Sequence, residues 1–329
     1  MNERRRILVT GVGALIGQGI ASSLRDDGRS WLIGLDRRMS LFGAELCDET
    51  LLKPKLDESS DAYLTFWKDL VQDHGIELII PGISIDMAFL DAHRSFFEDL
   101  GVALAINTTH LIALTENKSD FAADYAQLGL PVIPSIAGGG TWEAACAALG
   151  KPPFLLKPST GEGSVGIVRL HDEVDFDYWS GKTSGEFLVQ RIVGTDDDEY
   201  TVGTFGFGDG DYIGPLIFQR RLTRAGNTGE AKTVTHEAVS KATDTIMRYY
   251  KPLGPTNLQF RLEDEDAYLL EINPRFSSSC SLRTAFGFNE AEMCVDFYLN
   301  RRRPAQPVLR EGIAQRHNAD RIRYAGPDL

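Results

Sequence analysis

Hydrophobic and polar positions follow two different periods along this chain, and each period predicts one kind of element. Short apolar runs at residues 6–11 (RILVTG), 31–36 (WLIGLD) and 76–81 (IELIIP) are typical of buried parallel strands. Residues 12–24 and 60–74, which lie between these runs, repeat apolar positions at helical spacing. Strands that alternate with helices predict an α/β domain with a parallel sheet.

The clearest strand alternation lies in residues 257–275, where two apolar-alternating runs flank the acidic turn EDEDA. This pattern predicts an antiparallel hairpin. Pairing the strands brings Gln259, Glu271 and Asn273 together, with Arg275 just past the second strand. Such carboxylate and amide oxygens suit Mg²⁺, and Arg275 would lie against the phosphates of a nucleotide. The alternative is an edge hairpin with a solvated polar face.

A second candidate site lies upstream, in residues 154–167 (FLLKPSTGEGSVGI). An apolar strand there ends in Lys157, and a loop with Gly161, Gly163 and Ser164 follows. Glycines allow a backbone that curls with its N–H groups pointing inward, which is a geometry that binds anions. Together with the hairpin downstream, this loop indicates a site for nucleotide phosphates.

The stretches KPSTGEGSVGI, NLQF and LLEINPR resemble the ATP-grasp superfamily, in particular the synthetase domains of the carbamoyl phosphate synthetase large subunit. The resemblance covers roughly residues 108–303. It implies a Rossmann-like α/β domain at 1–110 and an α+β ATP-grasp fold at 111–303, with a small lid subdomain at about 138–187. Residues 304–329 are an irregular tail to which we assign no role.

The resemblance also implies an activity, namely an ADP-forming ligase that makes a C–N bond. Such an enzyme activates a small-molecule carboxylate as an acyl phosphate, which an amine or similar nucleophile then attacks. The cofactors it implies are ATP and one or two Mg²⁺ ions, with Mn²⁺ as a substitute. Two other functions stay open: a non-catalytic protein that senses nucleotides, and an oxidoreductase.

Individual residues receive roles from the same resemblance. Those assigned to ATP are Lys118, Lys157, Gly161, Gly163, Ser164, Gln190, Arg191, Ile192 and Glu199. The two lysines reach the phosphates, the backbone of residues 190–192 meets the adenine edge, and Glu199 binds the ribose. Gln190 stands where glutamate is common in the family, but main-chain contacts would survive that difference. A solvated lysine is the alternative for Lys118.

The expected catalytic residues are Lys157, Arg275 and Arg283, with Arg283 holding a substrate carboxylate. Ser278 stands where carbamoyl phosphate synthetase carries a further substrate arginine. This departure, together with the absence of that enzyme's partner domains from this sequence, argues against carbamoyl phosphate chemistry itself.

Three further residues are candidates for contact with the acceptor substrate. Ser84 and Asp86 follow a predicted strand at its C-terminal end, where ligands gather in open α/β sheets. The alternative is that one of them caps the next helix. Arg221 belongs to a group of four cations around one predicted polar loop, a funnel for an anionic substrate or simply surface charge: Arg220, Arg221, Arg224 and Lys232.

The oxidoreductase alternative depends on the stretch GVGALIG. Its Gly11, Gly13 and Gly17, followed by Asp36, suggest a dinucleotide site with the carboxylate on a ribose hydroxyl. No Tyr-x-x-x-Lys pair follows in the sequence, so tight strand-to-helix packing on the glycines is the favoured interpretation.

Composition excludes several classes of partner. The net charge is −13, from 34 basic and 47 acidic residues, which argues against a nucleic-acid or anionic membrane surface. The four cysteines are scattered without a C-x-x-C motif, so neither a zinc site nor a disulfide framework is predicted. We expect a cytoplasmic protein without a transmembrane span, and a homodimer only because dimers are common in general.

Overall fold

The computed structural model describes residues 4–25, 28–159 and 166–324. Three β-sheets organise these residues: a five-stranded parallel sheet, a four-stranded antiparallel sheet and a six-stranded antiparallel sheet. The candidate nucleotide residues lie where the two antiparallel sheets face each other.

The parallel sheet is built from the first part of the chain. Its strands are β1 (Arg5–Thr10), β2 (Ser30–Asp36), β3 (Glu49–Leu52), β4 (Leu78–Ile80) and β5 (Ala103–Leu104). The accompanying helices are α1 (Leu15–Arg25), α2 (Leu41–Glu45), α3 (Asp61–Asp73), α4 (Ser84–Ala92) and α5 (Arg94–Asp99). The strand order is β3-β2-β1-β4-β5, so the chain changes direction across the sheet beside β1.

Alternate residues of β1 pack into two different cores. Leu8 belongs to a core that includes Tyr63 and Trp67 of α3. Ile7 and Val9 belong to a second core that this sheet shares with the six-stranded sheet. Both faces of the parallel sheet are therefore covered, and its carboxyl edge is the part left for ligands.

Two short helices, rather than the one helix that the periodicity predicts, connect this sheet to the next. They are α6 (Thr109–Glu116) and α7 (Lys118–Tyr125). Asn117 separates them and caps α7, because its side-chain oxygen accepts hydrogen bonds from Ser119 N (2.9 Å) and Asp120 N (3.3 Å). A glycine after a helical pattern predicts its end, and Gly129 confirms this, since it follows the 3-10 turn after α7 with a left-handed φ of 67°.

The four-stranded sheet has a separate small core. Its strands, in the order β6-β9-β7-β8, are β6 (Ser135–Ala137), β7 (Phe154–Pro158), β8 (Val168–Leu170) and β9 (Phe187–Arg191). Helices α8 (Trp142–Leu149) and α9 (Glu173–Lys182) cover it. Phe154, Leu156, Phe176 and Val189 are buried in this core.

The six-stranded sheet carries the predicted hairpin. Its strands are β10 (Glu199–Phe207), β11 (Tyr212–Leu222), β12 (Thr228–Thr233), β13 (Leu253–Glu263), β14 (Asp266–Asn273) and β15 (Ile313–Gln315), and its order is β14-β13-β10-β11-β12-β15. The hairpin prediction is confirmed by β13 and β14, which pair in antiparallel register.

Several predictions for this part of the chain were wrong in detail. Residues 228–233 form β12 and not a polar loop, and the tail contributes β15 rather than being wholly irregular. The pair Gly254-Pro255 predicts the end of a helix, but helix α10 (Glu237–Tyr250) ends on Lys251, whose φ is 47°, and Gly254 lies inside β13. After α11 (Cys280–Ala285), the predicted last helix is α12 (Glu290–Cys294) followed by a π-helical turn (Val295–Leu299).

Candidate functional site

The predicted metal residues lie together on the hairpin. Gln259 of β13 is paired with Glu271 of β14, two residues before Asn273. Asn273 Nδ2 donates to Glu271 Oε1 (2.8 Å), and Gln259 Nε2 donates to the same oxygen. Strand register alone therefore brings one carboxylate and two amides to a single point.

A row of charged residues crosses the sheet beside this point. Glu199 of β10 is paired with Arg220 on one side and with Arg261 on the other. Its Oε1 accepts from Arg220 Nη2 (2.8 Å), and its Oε2 accepts from Arg261 Nη2 (3.0 Å). Glu199 is buried, so these charge-assisted bonds are the compensation for its desolvation.

Arg220 links this row to the metal residues, since its Nη2 also donates to Gln259 Oε1 at 2.5 Å. Arg220 was expected only among the four cations around one loop, and Arg261 was not expected as a part of the site. Strand alternation was the signal that could have found them, because both lie directly opposite Glu199 in the register. The predicted ribose ligand Glu199 thus lies in the site, with both carboxylate oxygens engaged by arginines.

Two lysines from other elements approach the carboxylate of Glu271. Lys118 opens α7, with its backbone N–H donating to Ser159 O (3.0 Å), and Lys157 lies near the end of β7. Burial lowers the pKa of Lys157 from 10.5 to about 8, while Glu271 raises it and Lys118 lowers it. Burial also lowers the pKa of Lys118, against the opposing effect of Glu271. These mutual effects place both ammonium groups within electrostatic reach of Glu271.

Two cavities meet at this cluster, with volumes of about 750 Å³ and about 460 Å³. The polar residues that line both of them are Lys157, Gln190, Glu271, Asn273 and Arg275. Lys118 lines the larger cavity alone, while Glu199 and Gln259 line the smaller one. The structure therefore brings predicted phosphate, metal and arginine residues together where the two cavities meet. We call the surface formed by Lys157, Gln190, Glu271, Asn273 and Arg275 the common wall.

The segment predicted to meet adenine lines the smaller cavity. Gln190 Nε2 donates to Ser135 Oγ (2.9 Å), and Arg191 Nη2 donates to Glu263 Oε2 (2.6 Å). The backbone N–H of Arg191 donates to Pro134 O (2.9 Å), so that group is already used within the protein. Ile192 follows in the same wall. Gly161, Gly163 and Ser164 lie outside the described residues.

The prediction for Arg283 was wrong about its surroundings. Its side chain is fully buried, where Nη1 donates to Glu290 Oε1 (2.9 Å) and Nη2 donates to Thr201 Oγ1 (3.1 Å) and to Asn257 Oδ1. A guanidinium held inside the protein in this way does not reach a substrate. Arg275, in contrast, lines both cavities, and its Nη1 donates to Phe276 O (3.1 Å).

Of the two candidates for substrate contact at the start of α4, one lines a cavity and the other is buried. Ser84 lines the larger cavity at the start of α4, and Asp86 is buried in an ion pair with Lys53. Neither side chain caps α4, since its N-cap is Ile83 and has no side-chain bond. Asp86 is therefore a structural residue, and only Ser84 is placed where a ligand would reach it.

The four cations expected around one loop do not lie together, because strand alternation places neighbouring residues on opposite faces of the sheet. Arg220 is buried in the site, whereas Arg221 is exposed and paired with Asp197 (2.8 Å). Arg224 and Lys232 are exposed as well. Arg221 does not line either described cavity, which favours surface charge, the alternative given for it.

The glycines near the start of the chain are explained by close packing. A Cβ atom on Gly17 would lie 2.3 Å from Gly11 O, and Gly11 itself has a φ of 69°. Asp36 Oδ2 accepts from Gly13 N (2.8 Å), and its Oδ1 accepts from Arg38 N (3.0 Å). These contacts favour the packing interpretation over a dinucleotide site.

The donor set fits a hard cation with few protein ligands. No group of three or more His, Cys, Asp or Glu side chains suited to a metal occurs in residues 4–25, 28–159 and 166–324. Glu271 is the carboxylate of the cluster, and a half-turn of the Asn273 amide would point its oxygen toward an ion. Gln259 could do the same only by giving up the bond that its Oε1 accepts from Arg220. Mg²⁺ is bound in this manner, through one or two carboxylates with the remaining positions filled by phosphates and water.

Comparisons with known proteins agree on the fold. A family model described as ATP-grasp in the biosynthetic pathway with Ter operon matches residues 187–320. The arginine-specific large chain of carbamoyl phosphate synthase from Geobacillus stearothermophilus is 28% identical over 192 residues, which are 55% of this chain and 18% of that one. The chain thus matches about a fifth of the length of that relative.

Two solved structures resemble almost the whole chain. Biotin carboxylase from Campylobacter jejuni, in complex with β,γ-ATP, has a TM-score of 0.71 at 18% identity and covers 94% of this chain and 74% of its own. The biotin carboxylase domain of Hydrogenobacter thermophilus 2-oxoglutarate carboxylase, with MgADP, has a TM-score of 0.69 at 16% identity and covers 95% and 74%. Identities this low show a shared fold.

Within the described ranges, no helix is both long and apolar enough to span a bilayer.

Proposed function

We propose that this ATP-grasp protein, which resembles the large chain of carbamoyl phosphate synthase, is an ATP-dependent ligase for a small-molecule carboxylate. A carboxylate oxygen attacks the γ-phosphorus of ATP, the bond to ADP breaks, and an acyl phosphate forms. An amine or similar nucleophile then attacks the acyl carbon, phosphate leaves, and the nucleophile loses a proton to solvent. The products are an amide or related bond, ADP and phosphate.

The observation that carries this proposal is the common wall of the two cavities. Lys157, Glu271, Asn273 and Arg275 line both cavities, and Lys118 adds a second ammonium group from the larger one. Phosphoryl transfer needs positioning and charge neutralisation more than acid–base chemistry, and this wall offers three cations around one carboxylate.

Each residue has a defined part in this proposal. Lys118 and Lys157 neutralise phosphate oxygens, and Arg275 orients them with its planar donor fork. Glu271 and Asn273, with Gln259, would hold Mg²⁺, which supplies further charge neutralisation on the phosphates when bound. Arg220 holds Gln259 and Glu199 in place through the contacts already described.

We also propose that different parts of the chain form separate domains. Residues 1–110 would form a Rossmann-like domain, residues 111–303 the ATP-grasp domain, and residues from about 138 to 187 a lid. The separate core of the four-stranded sheet supports the lid, because a unit with its own core can move as one body. A closed lid would protect an acyl phosphate from water.

The test is ADP release and hydroxamate formation with Mg-ATP, hydroxylamine and a panel of carboxylic acids. Hydroxylamine replaces the unknown amine and traps an acyl phosphate. Glu271→Gln is expected to lower turnover by about 100-fold or more with the fold unchanged by circular dichroism, since it removes the carboxylate of the cluster. Glu265→Gln, at the exposed hairpin turn, is the matched control with unchanged turnover. Near-normal turnover in Glu271→Gln would refute the assignment of the metal residues.

A further inference from the structure

The larger cavity has two chemically different ends. One end is the polar wall with Lys118, Lys157 and Arg275. The other is mainly apolar and is formed by residues of α4, α6, α7 and the segment after α7: Ile85, Met87, Ile112, Phe121, Tyr125 and Val132. Thr115 and Glu116, at the end of α6, also belong to the lining. A molecule that fills this cavity must therefore be charged at one end and apolar along its body.

These apolar residues belong to the larger cavity alone. Of the residues assigned to adenosine, Arg191, Ile192 and Glu199 line the smaller cavity and not the larger one, while Gln190 lies at the wall that both share. When ATP binds as proposed, with its phosphates at the common wall, the apolar end of the larger cavity is left for a second molecule. Its volume, about 750 Å³, is ample for one small-molecule substrate.

Two observations show that this end suits an apolar ligand. Ile85 and Val132 line this end and are 51% and 39% exposed, so they leave apolar surface in contact with water. Covering them would remove apolar surface from water, which favours binding. A polyol would lose hydration against Met87, Ile112 and Phe121, which offer no hydrogen-bonding side chain in return. A second carboxylate would meet the like charge of Glu116, which also lines the cavity.

The polar end suits a single carboxylate. Lys118 and Lys157 are desolvated ammonium groups that line the same cavity, and the acid carboxylate shares with the ATP phosphates the negative charge that offsets that cost. Ser84, at the start of α4, adds a hydroxyl to the lining. An acid whose carboxylate lies at this wall has its reacting oxygen beside the phosphate site.

We propose that the larger cavity binds the acid that is activated, and that this acid is a monocarboxylic acid with an aryl or branched aliphatic body. The inference rests on the proposed ligase function and specifies its substrate class. The body packs against α4, α6 and α7, and the carboxylate faces Lys118 and Lys157. Sugar acids and dicarboxylates are excluded as preferred substrates by the same surfaces.

The first test compares acids of similar size in the hydroxamate assay. We expect kcat/KM for 4-phenylbutanoate and 4-methylpentanoate to exceed that for gluconate and glutarate by about tenfold or more, the scale of discrimination by an apolar pocket. Turnover of gluconate or glutarate with neither apolar acid active would overturn the substrate class and leave the ligase function standing.

Two alanines of α7 provide a matched pair of variants. Ala122 lines the larger cavity, whereas the next residue, Ala123, is exposed and lines neither described cavity. Ala122→Leu is expected to raise the KM for 4-phenylbutanoate by about tenfold, because it fills the cavity, and to change the Kd of Mg-ADP by less than about twofold. Ala123→Leu should change neither. Equal effects of the two variants would refute the cavity as the acid site.

Calorimetry separates failure of this inference from failure of the ligase function. If 4-phenylbutanoate binds in the presence of Mg-ADP, and Ala122→Leu weakens that binding by about tenfold, the ligand class holds even without turnover. The ligase function would then be refuted. If Mg-ADP binds but neither apolar acid binds or reacts, the inference itself is overturned.

Discussion

At the scale of single residues, the chemistry of the site was easier to predict than the partner of each side chain. Gln259, Glu271 and Asn273 were found because a hairpin register follows from alternation, and the structure pairs Gln259 with Glu271. Arg220 and Arg221 are neighbours in sequence, yet one is buried against Glu199 and the other is exposed. The phase of β11 decides this, and a strand of mixed polarity does not reveal its phase.

Lys157 gives a prediction for pH dependence. Burial lowers its pKa to about 8, so the unliganded protein loses this charge as the pH rises through that value. Phosphate binds the protonated form, so affinity for Mg-ADP should fall above pH 8, by up to about tenfold per pH unit. Lys157→Arg keeps its charge over this range and should flatten the profile. Calorimetry between about pH 7 and pH 9.5 measures both proteins. A wild-type affinity that does not change would contradict the role of Lys157.

At the scale of elements, long buried strands and capped helices were predictable, whereas short or half-exposed strands were not. β3 has alternating partly exposed residues, and β12 has the sequence TGEAKT, so neither shows an apolar run. The break between α6 and α7 was hidden in a similar way, because apolar periodicity continues across it. The extended backbone of Asn117 ends α6, and its side-chain hydrogen bonds begin α7.

This break positions Lys118, and a capping variant tests that role. Asn117→Ala removes the cap of α7 and is expected to lower the free energy of unfolding by about 1 kcal/mol. It should also weaken Mg-ADP binding by about fivefold, roughly 1 kcal/mol, because Lys118 is the first residue of that helix. Thr141 caps α8, because its hydroxyl accepts a hydrogen bond from Ala144 N (3.2 Å). Thr141→Ala removes this cap and serves as a control. A loss of affinity in both variants would mean that stability, not the position of Lys118, is measured.

At the scale of the whole molecule, the sequence predicted the order of the architectural parts but not how they meet. The shared core of the parallel and six-stranded sheets joins Ile7 and Val9 with Phe205 and Phe218, which are about 200 residues apart. Such contacts carry no local signal. The resemblance was informative because Lys157 of the first stretch, and Glu271, Asn273 and Arg275 of LLEINPR, lie on the common wall of the cavities.

Ligand stabilisation distinguishes the nucleotide function from the oxidoreductase alternative. At a concentration of 100 times its Kd, Mg-ADP should add about 2.7 kcal/mol to the free energy of unfolding. NAD or NADP should add nothing measurable, because the backbone of the Gly-rich turn engages Asp36. Thermal denaturation with each ligand measures this. A shift with NAD(P) and none with Mg-ADP would reverse the assignment.

The strand β15 has a consequence for how copies of this protein meet in concentrated solution. It covers the outer edge of β12, whose backbone groups would otherwise be free to pair with another chain. The new edge is only three residues long and is followed at once by Arg316, which donates to Thr228 O (2.9 Å) and Ser278 O. A short edge bounded by charge is a poor template for intermolecular β-pairing, so the tail protects the sheet against aggregation.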